Sequence, residues 1–251
     1  MSTKGQVAVI IPAAGQGTRM GGHRKQFRVL GGKSVLVQTL LVFERHAQVD
    51  HIIVATPADA VEPLGVELRR VGITKLLDVV AGGQSRQASV REAINAVPDT
   101  VDVVLIHDAV RPFVRMSSVE RVIRETRQHG AASLALAITD TVRKIKGSKG
   151  RVIFGKTVPR EKLVRVQTPQ GFRTDWIRKA HERAEVEGWD ATDDVDLVQK
   201  LDHVVIPVPG SAMNLKITTP EDWDSAIRYW PEWEHVLAME EREQIVGQET
   251  R

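Results

Sequence analysis

Five apolar runs alternate with amphipathic segments over the first 139 residues, and this alternation constrains the fold more than any other feature. The runs are rich in Val and Ile and occupy residues 7–13, 51–57, 76–83, 101–109 and 132–139. Strands that are apolar throughout are typical of parallel sheets that helices cover on both faces. The sequence therefore predicts an α/β fold with a Rossmann-like, mostly parallel sheet flanked by helices.

Capping and helix-breaking residues predict where several helices begin or end. Ser34 and Thr219 carry side chains that accept hydrogen bonds at helix N-termini, and Thr192 is expected to cap the helix that follows it. Pro63 is expected to break the helix after the second strand. The late apolar segment NLKIT, at 214–218, is predicted to be a strand.

The composition excludes several classes of protein and of site. A chain of 251 residues suffices for one large domain, expected over 1–230, whereas residues 231–251 have few apolar anchors and are expected to pack loosely. The absence of cysteine excludes disulfides, thiolate metal sites and a cysteine nucleophile. A net charge of +3 is too small to indicate a protein that binds nucleic acid.

The first apolar run follows Lys4, as the apolar part of a signal peptide would follow a basic residue. It is short, however, and Pro12 interrupts it before a glycine-rich loop. No stretch of the sequence reaches the roughly 18 apolar residues that a membrane span requires. We therefore expect a cytoplasmic protein without a membrane partner.

A basic arm is predicted at about residues 140–165. Residues 141–160 alternate apolar and basic side chains around the sequence GSKG, which indicates a β-hairpin without a core of its own. An isolated hairpin is marginally stable in water, so we expect the arm to pack against a partner subunit in a homodimer. A solvated, mobile arm is the alternative, because its charge would also keep it in solution.

The stretch PAAGQGTRMGGHRKQF, residues 12–27, places glycines and basic residues directly after the first strand, where phosphate-binding loops occur. It is not a Walker A loop, because His23 and Arg24 stand where that motif needs Lys and Ser or Thr. It is not a Rossmann fingerprint either, because Met20 replaces the third glycine.

A third kind of phosphate loop agrees with these residues. Gly15 and Gly17 would let backbone N–H groups approach a triphosphate, while Arg19 and Lys25 would neutralise it. The alternative is a glycine-rich turn that only joins a strand to a helix.

Charged residues also follow the fourth strand, at the edge of the sheet where the glycine loop lies. In HDAVRP, Asp108 could coordinate Mg²⁺ directly or through water and Arg111 could hold a phosphate, or the two could form an ion pair that caps the turn. His107 is expected to be a packed residue rather than a base. Lys216 lies in a predicted apolar strand, where a lysine is costly unless it meets an anion.

Asp193 and Asp194 follow Thr192 at the predicted start of a helix. Their charges would satisfy the helix dipole, or the helix N-terminus would receive a substrate hydroxyl or phosphate. No Ser-His-Asp arrangement, histidine metal cluster or general-base motif stands out in the sequence. Any chemistry would therefore depend on positioning and positive charge.

Nine motifs along the chain resemble those of the 2-C-methyl-D-erythritol 4-phosphate cytidylyltransferases of the non-mevalonate isoprenoid pathway. In order they are PAAGQGTRM, KQF, GGQSRQASV, HDAVRP, DTVRK, TVPR, TPQGF, TDDV and NLKITTPED. The resemblance implies a nucleotidyltransferase type of fold and a homodimer. It also implies that CTP and the methylerythritol phosphate give the CDP-methylerythritol product and pyrophosphate with Mg²⁺.

The resemblance further implies roles for individual residues. Arg19 and Lys25 would stabilise charge on the α-phosphate in the transition state, while Arg160, from the partner's arm, and Lys216 would position the methylerythritol phosphate. The nucleotide would be held by Ala13, Ala14, Gly15, Gly17, Gly82, Gly83, Arg86 and Ser89. The acceptor pocket would be lined by Asp108, Arg111, Thr141, Thr168 and Thr192, with Asp108 next to the metal.

Two other functions remain compatible with these residues. The ribitol-5-phosphate cytidylyltransferases share the glycine loop and HDAVRP, so only the acceptor pocket separates them from the methylerythritol enzymes. A catalytically inactive nucleotide-binding module is a minor alternative, because Arg19, Lys25 and Lys216 are all present.

Overall fold

A seven-stranded sheet lies at the centre of the computed structural model, which describes residues 5–15, 25–148 and 151–249. The strands of the molecule are β1 (Gln6–Pro12), β2 (Val29–Leu30), β3 (Lys33–Ser34), β4 (His51–Thr56), β5 (Leu76–Ala81), β6 (Val101–Ile106), β7 (Ala131–Ala137), β8 (Val142–Ser148), β9 (Arg151–Val158), β10 (Val164–Arg173) and β11 (Ile206–Pro209). The central sheet has the order β11-β7-β10-β6-β1-β4-β5. Only β10 runs antiparallel to its neighbours, so the sheet is mostly parallel, as predicted.

Helices cover this sheet and connect its strands. The described residues form α1 (Val35–Arg45), α2 (Val61–Arg70), α3 (Arg86–Asn95), α4 (Met116–His129), α5 (Thr174–Glu187), α6 (Asp194–Gln199) and α7 (Pro220–Glu249). Short 3-10 turns occur at Lys25–Phe27, Ala58–Ala60 and Arg160–Lys162. Across the described ranges, none of these helices has the length and apolar character needed to cross a membrane.

Side chains of the central strands alternate between two cores, one on each face of the sheet. In β1, Val7, Val9 and Ile11 join the core formed with α1, α2, α4 and α7. Ala8 and Ile10 join the core formed with α3, α5 and α6. All five side chains are fully buried, which explains why the strand is apolar throughout and confirms the predicted fold class.

In the second half of the chain the sequence pattern misses one strand and wrongly predicts another. β10 lies between β6 and β7 but carries buried polar residues such as Thr168 and Gln170, so no apolar run reveals it. In the same strand, a side chain at Gly171 would collide with Thr126 of α4, so the glycine lets the helix approach the sheet. Conversely, the predicted strand at 214–218 pairs with no strand of the described residues.

Most of the predicted capping residues act as expected. The side chains of Ser34 and Thr219 accept hydrogen bonds from the first turns of α1 and α7. Pro63 does not break a helix, because it lies in the first turn of α2, where its missing N–H has no intrahelical acceptor. Thr192 is not the N-cap of α6; that residue is Asp193, whose carboxylate accepts from the helix backbone at 3.1 Å.

β8 and β9 form the predicted hairpin, called here the arm. Among the described residues these two strands pair only with each other. The apolar side chains of Ile145, Val152 and Phe154 are 68%, 73% and 81% exposed. Lys149 and Gly150 of the predicted turn lie outside the described residues. The arm therefore presents an apolar surface to its surroundings.

Residues 231–249 extend α7, and for the part up to Glu240 the prediction of loose packing is wrong. Trp230, Trp233 and Leu237 are buried in the core that α7 shares with α1 and α4. Further along, the Glu240 carboxylate accepts from the backbone N–H of Met116 at 3.0 Å, at the start of α4. The spacing of three and four residues between the two tryptophans and the leucine is the helical signal that indicates this packing.

We expect Trp233→Ala to lower the free energy of unfolding by roughly 3–5 kcal/mol, because it removes a fully buried aromatic side chain. Met239→Ala is a matched control on the same helix, since Met239 is exposed, and should change stability by less than about 0.5 kcal/mol. Urea denaturation measures both values. Equal losses in the two variants would contradict a packed role for this part of α7.

Candidate active site

The loops that follow β1, β5 and β6 meet at one edge of the sheet, because these strands are parallel. The N–H of Ala13 donates to the carbonyl of Ala55 at 2.6 Å, and the N–H of Gly82 donates to the carbonyl of Thr56 at 2.7 Å. A Cβ added at Gly82 would lie 2.5 Å from the Cβ of Ala14. The two predicted nucleotide-binding segments are therefore in contact.

The loop after β5 is held in shape by hydrogen bonds at the start of α3. Ser85 accepts from the N–H of Ala88 at 3.0 Å, and the Ser89 hydroxyl donates to the carbonyl of Ser85 at 2.8 Å. Ser89 is buried, and Gly83 packs so closely against Ala88 that no side chain would fit. Of the residues predicted to bind nucleotide, Gly83 and Ser89 thus fix the backbone of this loop.

Lys25 begins a 3-10 turn next to the loop after β1. The next residue, Gln26, is buried, and its side-chain amide donates to the carbonyls of Ala13 at 2.8 Å and Gly15 at 3.2 Å. Gln26 has no predicted role, and its place beside Lys25 in KQF is the only sequence signal for it. Two further predicted residues lie outside the described ranges: Gly17 and Arg19.

Asp108, just after β6, is surrounded by three cationic side chains, which together with it are called here the Asp108 cluster. Its Oδ1 lies 3.4 Å from Arg86 Nε, and its Oδ2 lies 3.0 Å from both Arg111 Nε and Lys216 Nζ. The predicted ion pair of Asp108 with Arg111 is confirmed. Lys216 meets the anion that its position requires, although the segment that carries it is not a strand.

The Asp108 carboxyl is ionised in this environment. Burial raises its pKa, but the charges of Lys216, Arg86 and Arg111 outweigh burial and hold the pKa well below the ordinary range of a carboxyl. An ionised carboxylate only accepts hydrogen bonds. Asp108 can therefore bind a hydroxyl group of a substrate, whereas the surrounding cations can bind a phosphate.

Arg86 connects Asp108 to a second buried carboxylate. Its Nη1 lies 2.7 Å from Asp194 Oδ2, and Asp194 Oδ1 lies 3.0 Å from His181 Nε2. Arg86 is predicted to hold the nucleotide, but its guanidinium lies between two carboxylates. Asp194 lies in the first turn of α6, as expected for a residue that satisfies the helix dipole, and in addition it is buried and orients Arg86. Arg86, Arg111 and Lys216 carry three positive charges, whereas Asp108 and Asp194 carry two negative charges. The group therefore has an excess of one positive charge.

His107 packs behind Asp108, and both of its ring nitrogens make hydrogen bonds. Its Nε2 donates to the carbonyl of Arg111 at 3.0 Å, and its Nδ1 accepts from the Thr168 hydroxyl at 3.1 Å, an assignment that satisfies every partner. The same hydroxyl accepts from the N–H of Asp108 at 3.1 Å. Burial lowers the pKa of His107 to about 4, so the ring is neutral, and the expectation of a packed histidine is confirmed.

Three residues predicted to bind the acceptor lie apart from the Asp108 cluster. Arg160 and Thr141 are exposed at the base of the arm, where the Arg160 guanidinium donates to the carbonyl of Thr139. Thr192 is exposed directly before the N-cap of α6. In the part of the chain that the structure describes, none of the three makes a hydrogen bond or ion pair with the cluster.

The family profile described as 2-C-methyl-D-erythritol 4-phosphate cytidylyltransferase matches residues 7–230. The chain belongs to this family. A relative with the same name from Salinibacter ruber is 53% identical over 227 residues, which cover 90% of this chain and 94% of the relative. Cytidylyl transfer is the activity that gives the family its name, so the predicted enzyme class is confirmed.

Solved structures of the cytidylyltransferase family also resemble this chain. The crystal structure of 2-C-methyl-D-erythritol 4-phosphate cytidylyltransferase from Thermus thermophilus has a TM-score of 0.75 and 37% identity, covering 90% of this chain and 99% of that one. The crystal structure of 4-diphosphocytidyl-2C-methyl-D-erythritolsynthase from Anaerococcus prevotii has a TM-score of 0.77 and 31% identity, covering 90% and 96%. The predicted fold therefore agrees with the family.

Resemblance to the cytidylyltransferases implies Mg²⁺, but the described residues do not build a site that holds it directly. Asp108 is the predicted ligand, yet its two oxygens already lie 3.4 and 3.0 Å from cationic groups. Within the described ranges, no group of three or more His, Cys, Asp or Glu side chains could hold a metal. Mg²⁺ ordinarily requires oxygen ligands that are free to coordinate it.

Two of the buried histidines, His46 and His107, predict how the stability of this cytidylyltransferase depends on pH. Burial lowers the pKa of His46 and of His107 from 6.5 to about 4. Between these two values the unfolded chain binds protons that the folded protein does not bind, so stability falls as the pH falls. Each histidine should lower the free energy of unfolding by up to about 1.4 kcal/mol per pH unit in this window.

Urea denaturation between pH 6.5 and 4 measures this slope. His46→Gln removes one of these two low-pKa imidazoles and should give a shallower slope than the unaltered protein. Equal slopes for the variant and the unaltered protein would show that protonation of His46 does not limit stability.

Proposed function

We propose that this protein transfers the cytidylyl group of CTP to 2-C-methyl-D-erythritol 4-phosphate, giving 4-CDP-2-C-methyl-D-erythritol and pyrophosphate. Membership of the cytidylyltransferase family supports the reaction. One structural observation supports it most directly: the Asp108 cluster lies at the same sheet edge as the glycine loop. An acceptor phosphate bound at this cluster would lie on the side of the sheet where the loop would hold a nucleotide.

The reaction joins two anions, and the protein opposes their repulsion. A phosphate oxygen of the acceptor attacks the α-phosphorus of CTP, the bond from that phosphorus to the bridging oxygen breaks, and pyrophosphate leaves. The attacking phosphate is already ionised at neutral pH, so it requires no base, in agreement with the neutral, fully bonded His107. We assign the stabilisation of the α-phosphate to Arg19 and Lys25, since fixed cations lower such barriers.

Asp108 and Lys216 divide the recognition of the acceptor between them. The ionised Asp108 accepts hydrogen bonds from polyol hydroxyl groups and repels phosphate. The Lys216 side chain is 38% exposed, so its ammonium group can meet the acceptor phosphate. Arg111 is fixed between Asp108 and the carbonyl of Asn214, which its Nη1 contacts at 2.7 Å. It adds a further positive charge beside Lys216. A polyol phosphate matches this combination of hydrogen-bond acceptor and cations.

We propose that Mg²⁺ arrives as part of the substrate, bound to the triphosphate of CTP. Triphosphate oxygens supply ligands that the described residues lack, and Asp108 would contact the ion only through water. CTP is a cytoplasmic nucleotide, so we also assign the reaction to the cytoplasm.

Pyrophosphate release from CTP tests the proposed function. We expect release with 2-C-methyl-D-erythritol 4-phosphate, little with ribitol 5-phosphate, and none with either acceptor in the presence of EDTA until Mg²⁺ is added back. Turnover with ribitol 5-phosphate alone would reverse the choice of acceptor. Turnover that EDTA leaves unchanged would contradict the role of Mg²⁺.

We further propose a homodimer in which each arm carries Arg160 to the partner's site. Arg160 is exposed at the base of the arm and makes no ion pair with the Asp108 cluster in the described chain, which favours its use by a second copy. The exposed Val152 and Phe154 would be buried in such an assembly.

Mixing two inactive variants tests this shared site. Arg160→Ala and Lys216→Ala should each lower turnover by roughly a hundredfold or more, because each removes a cation that positions the acceptor. A mixed dimer contains one site with both side chains intact, so co-refolding equal amounts should restore about a quarter of the normal turnover.

Gel filtration of each variant provides the control and should give the mass of two chains. If both variants are folded and dimeric but the mixture stays inactive, the two side chains do not come from different subunits.

A further inference from the structure

Gln26 is a buried polar residue. Within the described part of the chain, its side-chain amide donates hydrogen bonds to backbone carbonyls. Its side chain is 3% exposed, and its Nε2 donates to the carbonyls of Ala13 at 2.8 Å and Gly15 at 3.2 Å. Ala13 is the first residue after β1. One amide group therefore holds two carbonyls at the entrance of the glycine loop.

These two hydrogen bonds determine how the peptide groups of the loop are oriented. The carbonyl and the N–H of one planar peptide unit point in opposite directions. When the carbonyl of Ala13 points to Gln26, the N–H of Ala14 points away from it. Gly15 is exposed, and a Cβ there would meet none of the described residues within 4 Å, so the described residues leave this face of the loop open. Backbone N–H groups directed to an open face are the groups that bind phosphate.

The same loop is confined on another side by the segment after β5. A Cβ added at Gly82 would lie 2.5 Å from Ala14 Cβ and 2.8 Å from Ser89 Oγ. Ala14 therefore has little room to move toward this segment. Among the described residues, the amide of Gln26 in turn fixes the carbonyl of Ala13, the residue before Ala14.

We infer that Gln26 is a positioning residue for the triphosphate of the nucleotide, an inference that rests on the proposed function. Its amide holds the backbone of residues 13–15 in the orientation that binds phosphate. Because Lys25 is the preceding residue of the same 3-10 turn, the same contact places Lys25 beside the loop. Gln26 acts through the loop and through Lys25 and does not touch the nucleotide.

Gln26→Met tests the inference, since methionine has a similar length but cannot donate a hydrogen bond. Loss of the two hydrogen bonds should raise the KM for CTP about tenfold. The KM for the methylerythritol phosphate should stay near its normal value, because the Asp108 cluster is unchanged. Calorimetric titration with CTP alone should show the same loss of affinity.

Gln38 supplies a matched control within the chain. It too is buried, and its Nε2 donates to two carbonyls, those of Leu30 at 2.8 Å and Gly31 at 3.1 Å, in the turn between β2 and β3. Gln38→Met removes the same kind of contact from a turn with no predicted part in the site. It should lower stability to a similar extent as Gln26→Met and leave the KM for CTP unchanged.

The comparison of the two variants decides the inference. If the KM for CTP rises equally in both or in neither, Gln26 is not a positioning residue. If Gln26→Met does not fold, the pair Gln26→Asn and Gln38→Asn replaces it, because asparagine is one methylene too short to reach both carbonyls.

Failure of the proposed function is distinguishable from failure of the inference. If the unaltered protein binds CTP but does not turn over the methylerythritol phosphate, the acceptor assignment is wrong. Weaker CTP binding by Gln26→Met, but not by Gln38→Met, would still support the positioning role.

Discussion

The attraction between the Asp108 carboxylate and its three cationic neighbours holds together the parts of the chain that form the site. Arg86 comes from the start of α3, Arg111 from the loop after β6, and Lys216 from the segment before α7. Without the carboxylate, three like charges would repel one another at the sheet edge. Without the cations, burial of the carboxylate would be costly. The four groups form one electrostatic unit, and each depends on the others.

This unit also joins the two helical layers of the fold. Arg86 and Asp194 lie on α3 and α6, which belong to the core on one face of the sheet. Lys216 lies in the segment just before α7, which begins at Pro220 and belongs to the core on the other face. Thr168 of β10 supports Asp108 from behind by accepting its N–H. The geometry of the charges is therefore fixed by elements from both layers and from the sheet between them.

Sequence reasoning predicted the features that depend on local pattern. The apolar runs identified the parallel strands, Ser34 and Thr219 identified helix starts, and the position of HDAVRP after a strand placed Asp108 at the correct edge. The roles of Arg19, Lys25 and Arg160 stay predictions based on the resemblance.

Features that depend on distant partners could not be predicted in the same way. β10 is buried because it lies between β6 and β7, although it contains polar residues. A search for apolar runs therefore does not identify it as a strand. In the sequence, Asp194 resembles an ordinary acidic residue at a helix start. Its ion pair with Arg86, more than a hundred positions earlier, is visible only in the folded chain. The role of Gln26 likewise depends on the carbonyls of Ala13 and Gly15, which only the folded chain brings to its side-chain amide.

The contact between Glu240 and the start of α4 sets a limit on how this chain can be shortened or recombined. The residue before α4 is Arg115, whose side chain makes no capping hydrogen bond. The carboxylate at this helix start is instead that of Glu240, 124 positions after Met116. The family profile ends at residue 230, before that carboxylate. A chimaera that joins another domain at that boundary would leave the positive end of α4 without its counter-charge, so a workable junction lies beyond Glu240.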